Sequence, residues 1–341
     1  MKITVQQSNH LKAIAILMML CLHLFNREYK GLFQPIFFIF GKPLSYYISL
    51  FCDACVPIFS FVSGYGLYYK YTQQKESYKS YCWSSIKKMY LNLWLVILIF
   101  PVALGLLIGD EQYPGNWQSV LLNISGIFVS YSSIWWFFSV YIVFLITSSF
   151  FFKIADQYNP YILFLLFFGC YVFGFYFRIY HHIVIENKYL STIYSLFLNF
   201  NWTILQFMTG AFALKYTLNT KVHQFFSTMT NKNSSILLGI IFLMMIHSII
   251  TNFFISYFLA VVFIFLFVQV EIPLLIKKGL DFLAIHSTNL WLVHSFFYVS
   301  FFSTFIYSPQ YPIVIFLLLL ACSLVSSIII NYFILTLKKW V

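Results

Sequence analysis

The chain has 341 residues, of which 61% are hydrophobic and only 9% are charged, and its formal net charge is +11. Soluble domains carry about a quarter charged residues, so this composition excludes an ordinary water-soluble globule and predicts burial in a lipid bilayer. The basic residues stand singly or in pairs between apolar runs, which disfavours nucleic-acid binding and is typical of lysines that flank membrane spans.

Apolar runs of membrane-spanning length recur along the whole chain. A hydrocarbon core of ~30 Å requires about 20 mostly apolar residues per helix. We therefore predict an all-α, polytopic integral membrane protein, with a single membrane-embedded domain over residues 1–341. We expect 11–25 to be a retained first helix, because no small-residue cleavage site follows it. The predicted spans are 9–27, 45–69, 89–109, 134–152, 160–178, 196–216, 235–251, 253–270, 289–307 and 312–335.

The distribution of lysine and arginine predicts the orientation of these spans. Basic residues favour the cytoplasmic ends of membrane helices. If both termini are cytoplasmic, fifteen of the twenty Lys and Arg residues fall inside, among them Lys338 and Lys339, and five fall outside, among them Lys30. The predicted outer segments 110–133 and 308–311 carry none. This asymmetry favours about ten transmembrane helices with both termini in the cytoplasm.

Few ionisable residues lie within the predicted spans, and these are candidates for function because such groups are costly in lipid. Asp53 is the acidic residue that falls well inside an apolar run, and His23, His247 and His294 are the histidines within spans. Lys12 and His23 are eleven residues apart, so on an α-helix both project from one face, roughly 16 Å apart along the axis.

Asp53 enters the second span at a depth that could bring it close to His23. A neutral histidine that a carboxylate orients is a common general base for activating a hydroxyl group. The pair therefore suggests catalysis, with His23 as base and Asp53 as the group that orients its ring. The alternative is a structural His–Asp pair that joins two helices.

The sequence gives no support for a metal or nucleotide site. Cys52 and Cys55 have the spacing of a redox or metal pair, but no second pair and no histidine cluster accompany them. Free cysteines are commonly buried as small apolar residues, which is our interpretation here. Walker, dinucleotide-binding and HExxH motifs are absent from the sequence. We expect no metal.

The first two spans resemble the opening of acyltransferase family 3, integral membrane proteins that include O-acetyltransferases of lipopolysaccharide, peptidoglycan and capsule. The family begins with an arginine, ten mostly apolar residues and a histidine. Here Lys12 replaces the arginine and His23 matches the histidine. A phenylalanine-rich segment that ends in Ser63-Gly64 is similar to the family's second helix.

Later segments continue the resemblance in the same order. Lys87-Lys88 resembles the basic start of the family's third helix, with lysines where arginines are common. Trp135-Trp136 looks like the tryptophan-containing start of the fourth helix, and Ser287–His294 is similar to a late segment that leads from polar residues to a histidine. Together these matches cover most of the chain.

The resemblance implies a multi-pass O-acyltransferase of the bacterial cytoplasmic membrane. Cytoplasmic acyl-CoA, with acetyl-CoA as the expected donor, would place its phosphates against Lys12, Lys87 or Lys88, and His294 would line the donor path or bond across helices. His23 would deprotonate a hydroxyl of a surface polysaccharide or lipid-linked glycan. Lysine does not grip a phosphate bidentately, so another acyl-CoA such as succinyl-CoA stays open. We expect no bound cofactor; the expected partners are the acyl-CoA donor, the glycan acceptor and membrane lipids, and we expect no nucleic acid.

Two other functions remain open from the sequence. A polysaccharide or lipid-linked sugar exporter or flippase would also have many spans, although we find no pair of matching halves of the kind transporters commonly show. The other membrane O-acyltransferase superfamily, built around a helical histidine and a distant asparagine, could use His294 but leaves the pairing of Lys12 with His23 unexplained. Ser63-Gly64 is better explained as a close helix contact than as a nucleophile.

Overall fold

The structure is a computed structural model, and it describes residues 2–27 and 31–337. Lys30, Lys338 and Lys339, which contribute to the predicted charge asymmetry, lie outside the described residues. The described chain is helical apart from its loops and one short hairpin, in which β1 (Phe38–Ile39) pairs antiparallel with β2 (Lys42–Pro43). The prediction of an all-α protein is therefore confirmed.

The helices differ widely in length, and several are joined end to end by tighter or wider turns. Short 3₁₀ segments cover Cys52–Ala54, Ser133–Trp135 and Phe253–Ile255, and π-helical segments cover Leu98–Leu104 and Phe296–Ser300. The α-helices are α1 Val5–Phe25, α2 Leu44–Phe51, α3 Cys55–Gln73, α4 Tyr78–Ile97, α5 Gly105–Ile108, α6 Trp117–Ile124, α7 Trp136–Gln157, α8 Pro160–Ile179, α9 Lys188–Lys215, α10 Leu218–Ser227, α11 Lys232–Ile249, α12 Ser256–Phe267, α13 Leu274–Ser295, α14 Ser303–Tyr307 and α15 Pro312–Leu337.

Seven helical stretches of the described chain are long and apolar enough to cross a membrane, which agrees with a multi-pass protein. They are Val5–Phe25, Leu44–Gln73, Tyr78–Ile108, Ser133–Gln157, Pro160–Ile179, Lys232–Ile249 and Pro312–Thr336. The other three predicted spans also fall on helices: 196–216 on the more polar α9, 253–270 on the short Phe253–Phe267 and 289–307 on α13 to α14. The count of ten and the cytoplasmic termini stay predictions.

Local chemistry moves several helix ends away from the predicted boundaries. α1 begins at Val5 because Thr4 and Gln7 form a capping box, in which each side chain accepts a hydrogen bond from the other residue's backbone N–H. α4 begins at Tyr78, well before the predicted start at 89, so Lys87 and Lys88 lie within the helix rather than at its first turn. A hydropathy scan misses such starts because the first turns of α4 are polar.

Two prolines explain where long helices lose regular α geometry. Pro57 has no N–H with which to bond the carbonyl of Asp53, and the chain is 3₁₀-helical at Cys52–Ala54, immediately before α3. Pro101 lies inside the π-helical segment that follows α4. The first of these interruptions sets the direction of the Asp53 side chain, which helical periodicity alone does not give.

The chain divides into two compact units, the first comprising Met1–Gly66 and Gln206–Leu324. Within it α1 packs along α13, and α2 packs against α11. Gly64 lies against the backbone of Phe207, and Gly210 lies against the backbone of Phe61. Residues around the end of α1 form an apolar core that includes Leu20, Leu24, Phe25, Phe33, Tyr298, Ile306, Tyr307, Ile315 and Leu319.

The second unit comprises Leu67–Leu205 and Val325–Val341. In it α8 crosses α9 closely at Gly174, where a Cβ atom would meet the backbone of Leu198 and Trp202. The Tyr78 hydroxyl lies 2.6 Å from the Ser148 hydroxyl, which joins α4 to α7. Tight crossings over small residues are characteristic of membrane helix packing.

Candidate active site

Two histidines from opposite ends of the sequence form the centre of the candidate site. His23 lies in the last turn of α1, and His294 lies in the last turn of α13. Their atoms Nδ1 and Nε2, respectively, are 2.8 Å apart, and the two rings are stacked with centroids 5.1 Å apart. The packing of α1 along α13 therefore brings two ionisable side chains into direct contact inside the first unit.

The hydrogen bonds of this pair assign the protons of both neutral rings. His294 Nδ1 lies 2.9 Å from the carbonyl oxygen of Leu290, and because a carbonyl only accepts, this nitrogen carries the hydrogen. Nε2 of His294 is then the acceptor, so Nδ1–H of His23 donates to it. The Nε2 atom of His23 is left with a lone pair, which is the form that a general base requires.

An arginine and a tyrosine complete the surroundings of the pair. Tyr298 stacks on both imidazoles, with ring centroids 6.1 Å from His23 and 5.8 Å from His294. Arg27 donates a hydrogen bond to the carbonyl oxygen of His23, and its guanidinium carbon lies 5.5 Å from the Tyr298 ring. The site thus combines two hydrogen-bonded imidazoles, an aromatic ring stacked on both and a neighbouring guanidinium group.

Tyr298 reaches this position from the π-helical segment Phe296–Ser300. Single π-helical turns are rare and are frequently found at functional sites. Sequence spacing could have indicated both neighbours, because Arg27 follows His23 by four residues and Tyr298 follows His294 by four, which places each pair on one helix face. The direct contact between the two histidines carries no such local signal.

Asp53 lies against Asn26 and His247, whereas we expected from the sequence that it would contact the His23 ring. Its Oδ1 atom accepts a hydrogen bond of 3.2 Å from Asn26, and its Oδ2 atom lies 3.7 Å from Nε2 of His247. The 3₁₀ segment around Asp53 aims the carboxylate at these residues, and His294 takes the place beside His23. Asn26 is the C-cap residue of α1, so the Asp53 carboxylate is hydrogen-bonded to the end of the helix that carries His23.

His247 is a site residue for which the sequence offered no motif. It is fully buried near the end of α11, and neither ring nitrogen has a hydrogen-bond partner among the described residues. Its contact with Asp53 makes a buried carboxylate–imidazole pair in the first unit. Buried groups of this kind are paired because an isolated charge is expensive away from water.

The residues predicted to bind the donor lie in different parts of the chain. Lys12 is partly buried on α1, and its ideal helical position shares the face of His23. Lys87 and Lys88 are exposed on α4, which belongs to the second unit. His294, predicted to line the donor path or to bond across helices, lies in hydrogen-bond contact with His23 on the neighbouring helix. The donor-binding roles of these four residues stay predictions.

An apolar groove of about 540 Å³ runs beside α1 but faces away from the histidine pair. Ile14, Leu17 and Cys21 contribute to its wall from α1, with further residues from α2 and α15. At 100° per residue these positions lie on the opposite side of α1 from His23 and Lys12. The groove therefore is no part of the histidine site.

The glycine and cysteine motifs have structural explanations. Gly64 sits where α3 meets the backbone of Phe207, which supports a close helix contact over a nucleophile at Ser63. Cys52 and Cys55 are buried free thiols. Within residues 2–27 and 31–337, no cluster of three or more His, Cys, Asp or Glu side chains could hold a metal ion.

Comparison with known proteins identifies the class of this chain. The acyltransferase family 3 model, described as an acyltransferase domain, matches residues 5–332. That range includes every candidate site residue described above. No curated protein and no solved structure matches the chain. The exporter alternative receives no support from these comparisons.

Proposed function

We propose that this chain, which belongs to acyltransferase family 3, moves an acyl group from cytoplasmic acyl-CoA to hydroxyl groups of a cell-surface or capsular polysaccharide. Membership of the family makes it a membrane acyltransferase in general terms. The proposal adds the chemistry: an acetyl group from acetyl-CoA, a glycan hydroxyl as acceptor, and the bacterial cytoplasmic membrane as the location. A lipid-linked glycan would present the same hydroxyl chemistry.

The observation that carries this proposal is the proton assignment at His23. Its Nε2 lone pair takes the proton of the acceptor hydroxyl as the oxygen attacks the thioester carbonyl. The new ester C–O bond forms, the C–S bond of the acyl-CoA breaks, and His23 returns the proton to the departing thiolate. The balance requires no metal, cofactor or oxidant.

His294 is a positioning residue in this scheme. By accepting the hydrogen bond from His23 Nδ1–H it holds the catalytic tautomer and ring orientation. When His23 takes a proton, its positive charge is shared across that hydrogen bond. The stacked Tyr298 ring restricts both imidazoles, which reduces the entropy lost on reaching a reactive geometry.

Arg27 is suited to the negative charge that develops during the reaction. Its guanidinium carbon lies 5.5 Å from the Tyr298 ring and 5.9 Å from the Tyr307 ring. A fixed cation near a developing oxyanion stabilises the transition state more than the ground state. We assign Arg27 this electrostatic role, and Asp53 the role of holding the end of α1 through Asn26.

Donor binding completes the proposal. Lys12, Lys87 or Lys88 supplies positive charge for the phosphates of acyl-CoA, as the family resemblance implies. The eleven-residue separation of Lys12 from His23 on one helix face gives the donor's extended arm a span of roughly 16 Å. Under the predicted topology, His23 lies towards the outer surface, where a surface glycan is accessible.

The test is the acyl content of the surface glycan in a host that expresses or lacks the chain. Growth with ¹³C-labelled acetate, followed by ¹³C and ¹H NMR of the purified glycan, identifies the acyl group and the sugar position. We expect an O-acetyl signal that depends on the chain. A succinyl signal would revise the donor, and an unmodified glycan that is exported equally with and without the chain would contradict the proposal.

A further inference from the structure

The second unit contains a half-buried arginine that the proposed reaction does not use. Arg178 is the penultimate residue of α8, and its guanidinium carbon lies 4.5 Å from the Trp136 ring and 4.4 Å from the Trp202 ring. The two indoles are neighbours, with ring centroids 5.4 Å apart. Arg178 therefore covers an aromatic surface that two other helices, α7 and α9, supply.

The helix crossing positions these groups. Gly174 precedes Arg178 by one helical turn, and a Cβ atom there would meet the backbone N atom of Trp202. Its absence lets α8 and α9 approach closely, so that the Trp202 ring reaches the guanidinium. The close packing of α8 and α9 therefore sets the position of the Trp202 ring against Arg178.

The charge of Arg178 lacks an anionic partner within the described residues. No carboxylate there forms an ion pair with it, and its Nη1 atom is buried without a hydrogen-bond acceptor. Arginine stays protonated, and a buried cation is costly unless an anion and hydrogen bonds compensate it. Cation–π contacts with two indoles offset only part of that cost. The side chain is partly exposed, so an external acceptor can approach it.

The position of Arg178 at the end of a membrane span indicates which anion would bind it. Arg178 stands at the end of the span Pro160–Ile179, and Trp136 stands near the start of the span Ser133–Gln157. Ends of membrane helices lie at the level of the lipid headgroups, where tryptophan is enriched. The anions abundant at that depth are phosphates, whose oxygens fit the planar fork of a guanidinium.

We infer that Arg178, with Trp136 and Trp202, forms a phosphate-binding site in the second unit. The phosphate is carried by a membrane lipid or by a soluble phosphate compound, and the same donors recognise both. Aromatic walls and a boundary position suit an amphiphile, whose chains stay in the bilayer while its phosphate reaches Arg178. This site shares no residue with the His23 site, and the inference does not depend on the acyl-transfer proposal.

The test measures ligand-induced thermal stabilisation of the full chain purified in detergent. The probes are dioleoyl phosphatidic acid, dioleoylglycerol with the same chains but no phosphate, and inorganic phosphate. We expect phosphatidic acid to raise the Tm of the wild type by about 2–4 °C, since ligand that binds the folded state stabilises it. Dioleoylglycerol should give no such shift.

Variants connect the shift to the site. Arg178→Gln should lose the phosphate-dependent shift, whereas Lys188→Gln should keep it, because Lys188 is exposed at the start of α9 and its loss changes the net charge equally. Arg178→Lys keeps the charge but not the planar fork, and should show a reduced shift. It serves as the decisive variant if Arg178→Gln does not fold.

The outcomes separate the sources of phosphate. An Arg178-dependent shift with phosphatidic acid supports the site and assigns a lipid, and one with inorganic phosphate alone supports the site and assigns a soluble compound. Equal shifts in the wild type and the Arg178 variants would overturn the proposal. So would equal shifts with phosphatidic acid and dioleoylglycerol, or the absence of any phosphate-dependent shift in the wild type.

Discussion

His23 Nδ1 lies 2.8 Å from His294 Nε2, although 271 positions of sequence separate the two residues. The hydrogen bond from His294 Nδ1 to the Leu290 carbonyl fixes the direction of this contact, because it leaves His294 Nε2 as the acceptor. The histidine that resembles a family motif near the start of the chain therefore depends, for its tautomer, on a helix near the end.

Substitution of His294 should lower catalysis without abolishing donor binding. His294→Ala removes the acceptor of the His23 Nδ1–H bond, so both His23 tautomers become populated and the ring is less restricted. We expect kcat to fall about tenfold or more, which corresponds to about 1.4 kcal/mol, with KM for acyl-CoA little changed. His294→Gln offers an amide oxygen as acceptor and should retain more activity than His294→Ala.

Steady-state release of CoA from the purified protein, with the acceptor glycan present, measures both constants. His182→Ala is a matched control because His182 is an exposed loop histidine, and it should behave as the wild type. If His294→Ala raised only KM, His294 would belong to the donor path that the sequence predicted for it.

Asp53 should act through its hydrogen bond to Asn26 rather than through acid–base chemistry. Asp53→Asn keeps an oxygen that accepts from Asn26, so we expect less than a tenfold loss of kcat. Asp53→Ala removes that acceptor, frees the cap of α1 and should cost more, both in kcat and in thermal stability. The same CoA-release assay and thermal unfolding in detergent distinguish the two variants. A complete loss of activity in a folded Asp53→Asn protein would restore the catalytic role predicted from the sequence.

Gly64 should be essential for packing, in contrast to a glycine two residues away. A Cβ atom at Gly64 would overlap the backbone of Phe207, whereas one at Gly66 would meet nothing within 4 Å. Overpacking of this kind costs about 1–3 kcal/mol, so Gly64→Ala should lower the Tm clearly and Gly66→Ala should leave it close to the wild type. Fluorescence-detected unfolding in one detergent compares the two variants. Equal Tm values would show that the helices at this crossing can move apart without a loss of stability.

Lys87 and Lys88 should affect donor affinity more than turnover. Both are exposed on α4, and a hydrogen bond to a charged group contributes about 1.5 kcal/mol or more. We expect Lys87→Gln or Lys88→Gln to raise KM for acyl-CoA by about tenfold or more, with kcat unchanged. Lys79→Gln, which removes an exposed lysine from the same helix, should have no effect. Unchanged KM in all three variants would mean that these lysines serve topology alone.

The sequence predicted the membrane class and the general positions of the helices because both follow from local hydropathy. Each of the ten predicted spans coincides with helical structure. The boundary predicted between the spans 235–251 and 253–270 falls at the turn that joins α11 to the segment starting at Phe253. Boundaries were less accurate at polar helix starts. The early start of α4 is an example, since interfacial turns rich in Lys, Ser and Tyr carry little hydrophobic signal.

The candidate site was predicted only in part because its geometry depends on long-range packing. His23 and His294 were both selected as ionisable residues within spans, but no periodicity links residues on α1 and α13. Asp53 was selected for the same reason, and its depth in the second span suggested a contact with His23. The carboxylate contacts Asn26 and His247, because depth along a span does not specify which neighbouring helix a side chain meets.

The central claim is that His23 is the general base of an acyl transfer, and one comparison tests it most directly. The O-acyl content of the surface glycan is measured by NMR in cells that express the wild type, His23→Ala or His182→Ala at equal membrane levels. General-base catalysis contributes about 10²–10⁴-fold, so we predict that the acyl signal disappears in His23→Ala alone, with the glycan still exported. An undiminished acyl signal in His23→Ala would contradict the account.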